Sequence, residues 1–534
     1  VALARLTEST VEALGLHLLI FLPLGGAVAV ALLPAVWRNA IPKLALAVAA
    51  VVLALALALW PQVGSDRLTG ESKYEWIAAG EWVQLGASGA RALDRGVVIR
   101  YHVGLDAISA PLVLLTALLV LLSVACGFTS IRHRLREYYA WLLALAGGLT
   151  GVFAARDVLL FYIFFEFTLI PLYFIIGIWG GPQRRYAANK FFLYTFAGSV
   201  ITFAGILYLA LRGASLHESG IVDFDLVRLS TLQGLSATEQ SLLFLALFCG
   251  FAVKVPFWPL HTWLPLAHTE APTAGSVLLA GILLKLGTYG FLRFALPMVP
   301  AGAVDWAQVM GALAACGIIY GALCCWVQAD VKRLVAYSSV SHLGFCMLGM
   351  FSLVPVGLSG SLLYMVNHGI STGALFLVVG MLYERYHTRQ LEELGGLARQ
   401  MPLLAFFLVL FVLSSIGLPG LNGFVSEFTV LLGAFQSPTL GPAYAAVAAS
   451  GIVLGAIYML SMTGKVLFGP LRCPRGTPDT RLLPQDLSFR EIALLTPLAV
   501  LVVLLGIYPR LITDTLDPVL QAQILTRIGV AGAS

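Results

Sequence analysis

Four ionisable residues stand where hydrocarbon is expected. Glu166 lies inside Phe161-Tyr162-Ile163-Phe164-Phe165-Glu166-Phe167, Lys254 and Lys285 lie near the middles of two further apolar runs, and Glu427 lies beyond the middle of another. A charge at mid-bilayer costs about 2.5–3.5 kcal/mol on insertion scales, so it persists with a partner, with water or with a task. His261, His342 and His368 also fall within apolar runs. An imidazole donates and accepts a proton near neutral pH, so carboxylates, amines and imidazoles spread through a membrane are the parts of a proton relay. The other use of Glu166 and Lys254 is a structural ion pair locking two helices, which leaves Lys285 and Glu427 without a purpose. For His261 and His368, interior packing stands beside the relay reading. His342 has Ser338, Ser339 and Ser341 as neighbours, a hydroxylated stretch able to hold ordered water.

These residues are held by membrane spans. Of 534 residues, 59% are hydrophobic and 11% charged, with a mean hydropathy of +0.91, whereas soluble domains carry charge on about 25% of residues. A soluble protein with one anchor, a nucleic-acid binder and a disordered scaffold are excluded. Runs of span length occur at 14–36, 43–60, 106–129, 138–155, 157–180, 186–212, 240–265, 273–298, 306–328, 331–353, 357–383, 401–434, 442–469 and 491–513, which predicts an all-α polytopic membrane protein of about fourteen helices. The first run lacks a basic leader and an A-x-A site, so it reads as a retained span. The stretch 61–105 contains short alternating pieces such as Gly96-Val97-Val98-Ile99-Arg100-Tyr101-His102, which predicts an extracytoplasmic hairpin.

Orientation follows from Lys and Arg. One set of alternate connections carries 18 of them; the other set with the termini carries 12, five of these in the long stretch 61–105. Cytoplasmic loops hold the excess, so both termini are expected outside, in the periplasm of a bacterium. The net charge of +5 is too small to indicate nucleic acid.

Two spans carry breaks. Lys254 precedes Pro256, Pro259 and Pro265, and Gly417-Leu418-Pro419-Gly420-Leu421-Asn422-Gly423 precedes Glu427. Proline frees backbone groups that must then line protein or a watery cavity. Interrupted helices at matching places in two halves of a chain point to a transport site. Spans four to eight and nine to thirteen match in this way: Glu166 lies 176 residues before His342, and Lys254 lies 173 before Glu427. The expected architecture is therefore two inverted five-helix repeats with discontinuous helices seven and twelve. It divides into 1–136, three spans with the hairpin; 137–300, the first repeat; 301–470, the second; and 471–534, a cytoplasmic loop and the last span. None of the seven cysteines forms a CxxC pair, and no glycine-rich strand-helix fingerprint occurs, so neither a cofactor nor a metal is expected in this chain.

These residues make the chain resemble the antiporter-like, proton-translocating membrane subunits of respiratory complex I, in particular the chain M type, the counterpart of mitochondrial subunit four. The resemblance is carried by Leu260-His261-Thr262-Trp263-Leu264-Pro265-Leu266-Ala267-His268-Thr269-Glu270-Ala271-Pro272, continuing to Leu284-Lys285-Leu286-Gly287, by Asp157 to Glu166, by Ile178-Trp179-Gly180, and by Leu418-Pro419-Gly420 to Phe424-Val425-Ser426-Glu427-Phe428. It extends from about the third span to the fourteenth. It implies that Glu166 pairs with Lys254, that Lys254 is the central proton carrier, that Lys285 bridges to a second half-channel, that Glu427 is the exit-side carrier, and that His342 and His368 are relay positions. Glu427 in place of the lysine of other family branches, and only 21 residues after the last run, favour the chain M type. The resemblance further implies a subunit of an NADH-quinone oxidoreductase in a bacterial inner membrane, moving protons from cytoplasm to periplasm on energy from quinone reduction. Its partners would be other complex I membrane subunits, especially neighbouring antiporter-like ones, with lipids around it and with flavin and iron-sulfur clusters in partner subunits. A cation/proton antiporter subunit of Mrp type, and a hydrogenase or ferredoxin-driven relative, remain alternatives.

Overall fold

The computed structural model describes residues 2–60, 76–85, 96–216, 220–472 and 484–532. Helices α1 (Ala2–Leu32) and α2 (Ile41–Leu59) lead to a strand pair, β1 (Trp76–Leu85) and β2 (Val97–Leu105), which is antiparallel with a bulge between Glu81 and Val83. This is the predicted hairpin; its flanks at 61–75 and 86–95 lie outside the described residues. Next come α3 (Ala110–Ser130), α4 (Leu135–Ala154), α5 (Val158–Phe167), α6 (Leu169–Trp179) and α7 (Arg184–Leu216). A short β3 (Val222–Asp223) adds to β2 in parallel, and α8 (Leu226–Ser230) follows. The next helix, α9 (Ala237–Lys254), is separated from α10 (Leu264–Glu270) by non-helical chain.

Residues 273–298 form one continuous rod of changing pitch: α11 (Thr273–Leu278), α12 (Leu284–Gly290) and α13 (Leu296–Met298) are joined by π-helical turns at Leu279–Leu283 and Phe291–Ala295. After it run α14 (Pro300–Trp326), α15 (Val331–Phe351), α16 (Pro355–Tyr386), the short α17 (Leu397–Gln400), α18 (Pro402–Ser415), α19 (Asn422–Gln436), α20 (Pro442–Leu467), α21 (Phe489–Ile507), α22 (Arg510–Leu520) and α23 (Thr526–Gly532).

The helix starts are written in the sequence. Ser236 and Glu239 form a reciprocal capping box on α9, and Ser488 and Glu491 form another on α21, each satisfying two otherwise orphaned N–H groups. The Asp157 carboxylate accepts the amides of Leu159 and Leu160 at the start of α5, both at 2.9 Å. Proline occupies the first turn of α14, α16, α18 and α20, where its missing N–H costs nothing.

Among the described residues twelve helices are long and apolar enough to cross a membrane. The chain is thus an all-α polytopic membrane protein. Two of the fourteen predicted runs are not among these twelve: 138–155 is α4, whose first turn carries Arg136 and Glu137, and 401–434 is divided into α18 and α19. The helices differ sharply in burial. The apolar windows of 273–298 and of α16 are wholly buried and that of α15 is 94% buried, against 28% for α2. Lipid therefore meets the outer helices, and the intramembrane charges are left to a protein-lined centre.

Close packing at that centre depends on Gly287. A Cβ built there would stand 2.5 Å from the Phe251 carbonyl oxygen and 2.9 Å from the Val255 amide nitrogen, so α12 touches the end of α9 backbone to backbone. Gly287→Ala is expected to destabilise the fold by about 1–3 kcal/mol, the usual cost of overpacking. A thermal unfolding midpoint of the purified variant equal to that of the wild type would show that the two helices have slack there.

Candidate functional site: a polar line through the buried helices

Lys254 is the last residue of α9 and is 2% exposed. A cation at a helix C-terminus meets the negative end of the helix dipole, which offsets part of its desolvation. The chain then leaves the helix because Pro256 and Pro259 cannot continue it, and the Trp263 indole N–H, 2.8 Å away, takes up the Val253 carbonyl. The Lys254 ammonium lies 4.4 Å from the centroid of the Phe165 ring, a cation–π contact strengthened by burial. The next residue on α5 is Glu166, which interacts with Lys254 and with Ser199 of α7. Glu166 and Lys254 are thus brought together on neighbouring elements. No hydrogen bond joins them: neither Lys254 Nζ nor Glu166 Oε1 has a hydrogen-bond partner among the described residues.

Lys285 follows the first π-helical turn and is fully buried. The π register leaves the Ala280 carbonyl 2.5 Å from its ammonium, and such turns inside α-helices often mark functional sites. The same ammonium donates to His368 Nδ1 on α16 at 2.7 Å. The His368 ring lies 5.6 Å from that of His342 on α15, centroid to centroid. His342 Nδ1 is 2.7 Å from the Tyr364 hydroxyl and 4.0 Å from Glu427 Oε1, and its Nε2 is 3.1 Å from the Ser415 hydroxyl. Tyr364 donates to Glu427 Oε1 at 3.0 Å.

With the Glu427 carboxylate ionised, these contacts favour one His342 tautomer. Tyr364 has one hydroxyl hydrogen, given to Glu427, so His342 must hold a hydrogen on Nδ1 to reach the Tyr364 oxygen; Nε2 then accepts from Ser415 in the neutral ring. A cavity of about 20 Å³ is lined by His342, Tyr364, His368, Ser415 and Glu427, room for one water.

The chain break between α18 and α19 holds Glu427 in place. Gly417 adopts φ +73°, and a Cβ there would come within 2.2 Å of Glu427 Oε2. Asn422 opens α19 and anchors the break to α16: its carbonyl accepts from Asn367 at 2.7 Å, and its Oδ1 accepts from the Ser414 hydroxyl at 2.6 Å. The freed polar groups of the break are therefore satisfied by protein.

The predicted residues thus fall into two groups, Glu166 with Lys254, and Lys285 with His368, His342 and Glu427. His261 stands apart in the break after Lys254, edge-on to Tyr320 with ring centroids 5.0 Å apart. Tyr364, Ser415, Asn367 and Asn422 are additions. The doublet Asn367-His368 inside an apolar run was the available signal for Asn367; nothing in sequence separates Tyr364 from an aromatic packing residue. Among the described residues no group of three or more His, Cys, Asp or Glu could hold a metal ion.

The family described as NADH:quinone oxidoreductase/Mrp antiporter, TM, matches residues 155–453. The chain is 44% identical over 427 residues to NADH-quinone oxidoreductase subunit M of Rhodobacter capsulatus, covering 79% of this chain and 81% of that one. Its fold matches a chain of respiratory complex I from Thermus thermophilus with a TM-score of 0.80 and 31% identity, covering 96% of this chain and all of that one. A chain of the Mrp complex from Dietzia sp. DQ12-45-1b matches with a TM-score of 0.78 at 21% identity over 97% of this chain and 99% of that one, a likeness of fold. The chain therefore belongs to the NADH:quinone oxidoreductase/Mrp antiporter transmembrane family, and stands within it beside the subunits M.

Proposed function

We propose that this chain is a proton-pumping membrane subunit of an NADH-quinone oxidoreductase, carrying protons along the line from Lys254 to Glu427 while partner subunits do the redox chemistry. The observation that carries the reading is the set of buried contacts from Lys285 through His368, His342 and Tyr364 to Glu427. A proton taken up at His342 Nε2, which faces Ser415 and the cavity shared with His368, lets the ring give its Nδ1 hydrogen to the Tyr364 oxygen while the Tyr364 hydrogen passes to Glu427, so the ring returns to neutral and every heavy atom stays where it is. Moving Glu166 toward Lys254 favours the protonated amine, and moving it away favours release, since a nearby carboxylate stabilises the ammonium against desolvation.

In this reading α4, and α18 with α19, complete fourteen spans, and α9–α10 and α18–α19 are the interrupted members of two inverted five-helix repeats. The cytoplasmic inlet is the cavity of about 630 Å³ beside Glu270, Lys332, Glu384 and Arg389, at the end of the molecule where the sequence concentrates Lys and Arg. Flavin and iron-sulfur clusters belong to partner subunits, and neighbouring antiporter-like subunits and lipids surround this one in a bacterial inner membrane.

The test is co-purification and driving force. The chain should be isolated with NADH-oxidising subunits, and inverted vesicles holding the complex should acidify when NADH and quinone are supplied. Sodium-proton exchange without NADH, from a complex lacking such subunits, would move the chain to the Mrp branch. Orientation has its own test: a periplasm-dependent reporter fused after the last residue should be active, and activity of a cytoplasm-dependent reporter there would invert the topology.

A further inference from the structure

At the end of the bundle that carries the β-hairpin, a cavity of about 160 Å³ lies between α8, the end of the 273–298 rod and the C-terminal helices, lined by Arg156, Arg293, Arg527, Gln523 and Val227 among others. Its lining is cationic. Asp106 takes both oxygens to Arg293 Nη2, at 2.5 and 2.6 Å, and meets Arg156 Nη2 at 3.1 Å. Arg293 also donates from Nη1 to Gln523 and from Nε to the Tyr289 hydroxyl. Asp223 and Asp225, acids at the same end, are engaged by Arg100, Arg228 and His102. The lining itself holds three arginines and no acidic residue. Arg527 holds the unspent donors: its Nη1 is buried without a hydrogen-bond partner among the described residues, and burial lowers its pKa with no carboxylate offsetting the shift. A guanidinium nitrogen buried without a partner calls for an acceptor, and the positive charge favours an anion as that acceptor.

We infer that this cavity binds the phosphate group of an anionic phospholipid, with Arg527 as its principal donor. Guanidinium forks match phosphate oxygens in pairs. The depth fits a headgroup, because Arg156 is tied by its amide to the His102 carbonyl of β2 at 2.8 Å, outside the spanning helices. The rim fits the glycerol and the start of an acyl chain, for Val227 is 61% exposed and Ile524 and Pro297 complete an apolar wall. A free phosphate would use the arginines and leave that wall without a partner.

The test uses the purified, delipidated complex and a photoactivatable phosphatidylglycerol, with labelled peptides mapped by mass spectrometry. Labelling is expected on the peptides carrying Val227 and residues 521–529, competed by unlabelled phosphatidylglycerol and not by phosphatidylcholine or inorganic phosphate. Arg527→Gln should reduce it several-fold while leaving the Asp106–Arg293 pair in place. Should that variant fail to assemble, Val227→Glu, an exposed change that sets a carboxylate at the mouth, should reduce it likewise. Competition by inorganic phosphate as effective as by the lipid would overturn the lipid assignment. Unchanged labelling in an assembled Arg527→Gln or Val227→Glu complex would overturn the site.

Discussion

In an assembled complex, Lys254→Met lowers NADH-driven proton translocation on the order of 10²-fold, the low end of what a positioned proton-transfer group contributes, while the content of the complex is unchanged. Methionine fills the lysine stem and keeps a favourable contact with the Phe165 ring, so packing survives and the proton site is lost. Lys254→Arg is the sharper variant. Arginine retains the charge, the cation–π contact with Phe165 and the favourable position at the end of α9, yet it does not release its proton in the working pH range. A structural cation predicts that Lys254→Arg pumps like the wild type; a carrier predicts a loss as deep as that of Lys254→Met. Initial rates of acidification of inverted vesicles, normalised to assembled complex, decide between them.

The parts of this site that the sequence made visible are those whose residue type conflicts with its surroundings. Glu166, Lys254, Lys285 and Glu427 announce themselves because hydrocarbon tolerates charge poorly, and the break after Lys254 is announced by Pro256 and Pro259. What stayed hidden was compatible with an apolar helix on its face. Tyr364 is an ordinary buried aromatic until its hydroxyl is placed between His342 and Glu427. The π-helical turn at Leu279–Leu283 has the composition of any apolar stretch, and it emerges only as the register that brings the Ala280 carbonyl to the Lys285 ammonium. The resemblance implied a pairing of Glu166 with Lys254. It could not anticipate that Phe165, one position away, would offer its ring face to the ammonium, since the directions of adjacent helical side chains depend on how α5 rotates against α9.

Glu427→Gln is the second variant with a large expected effect, again on the order of 10²-fold in translocation. Glutamine has nearly the same shape, keeps an oxygen to accept the Tyr364 hydroxyl at 3.0 Å, and tolerates the close approach of Gly417, so assembly is retained. It cannot take up a proton, and the line that begins at Lys285 then ends at Tyr364. Glu427→Asp retains the proton site on a side chain one methylene shorter, which lengthens the Tyr364 contact and opens room for a bridging water; part of the pumping survives. Tyr364→Phe supplies the converse change. His342 Nδ1 and Glu427 Oε1 are 4.0 Å apart, so a water admitted beside them can replace the hydroxyl, and the loss is roughly tenfold, smaller than for Glu427→Gln because the terminal acceptor remains. In the proposed exit role a carboxylate is suited because its intrinsic pKa, about 4.3 against about 10.4 for lysine, favours release to an acidic exterior. The order Tyr364→Phe and Glu427→Asp above Glu427→Gln, at equal complex content, is the signature of a terminal proton acceptor. Equal pumping by the wild type and Glu427→Gln would leave Glu427 as a structural bridge between α16 and α19.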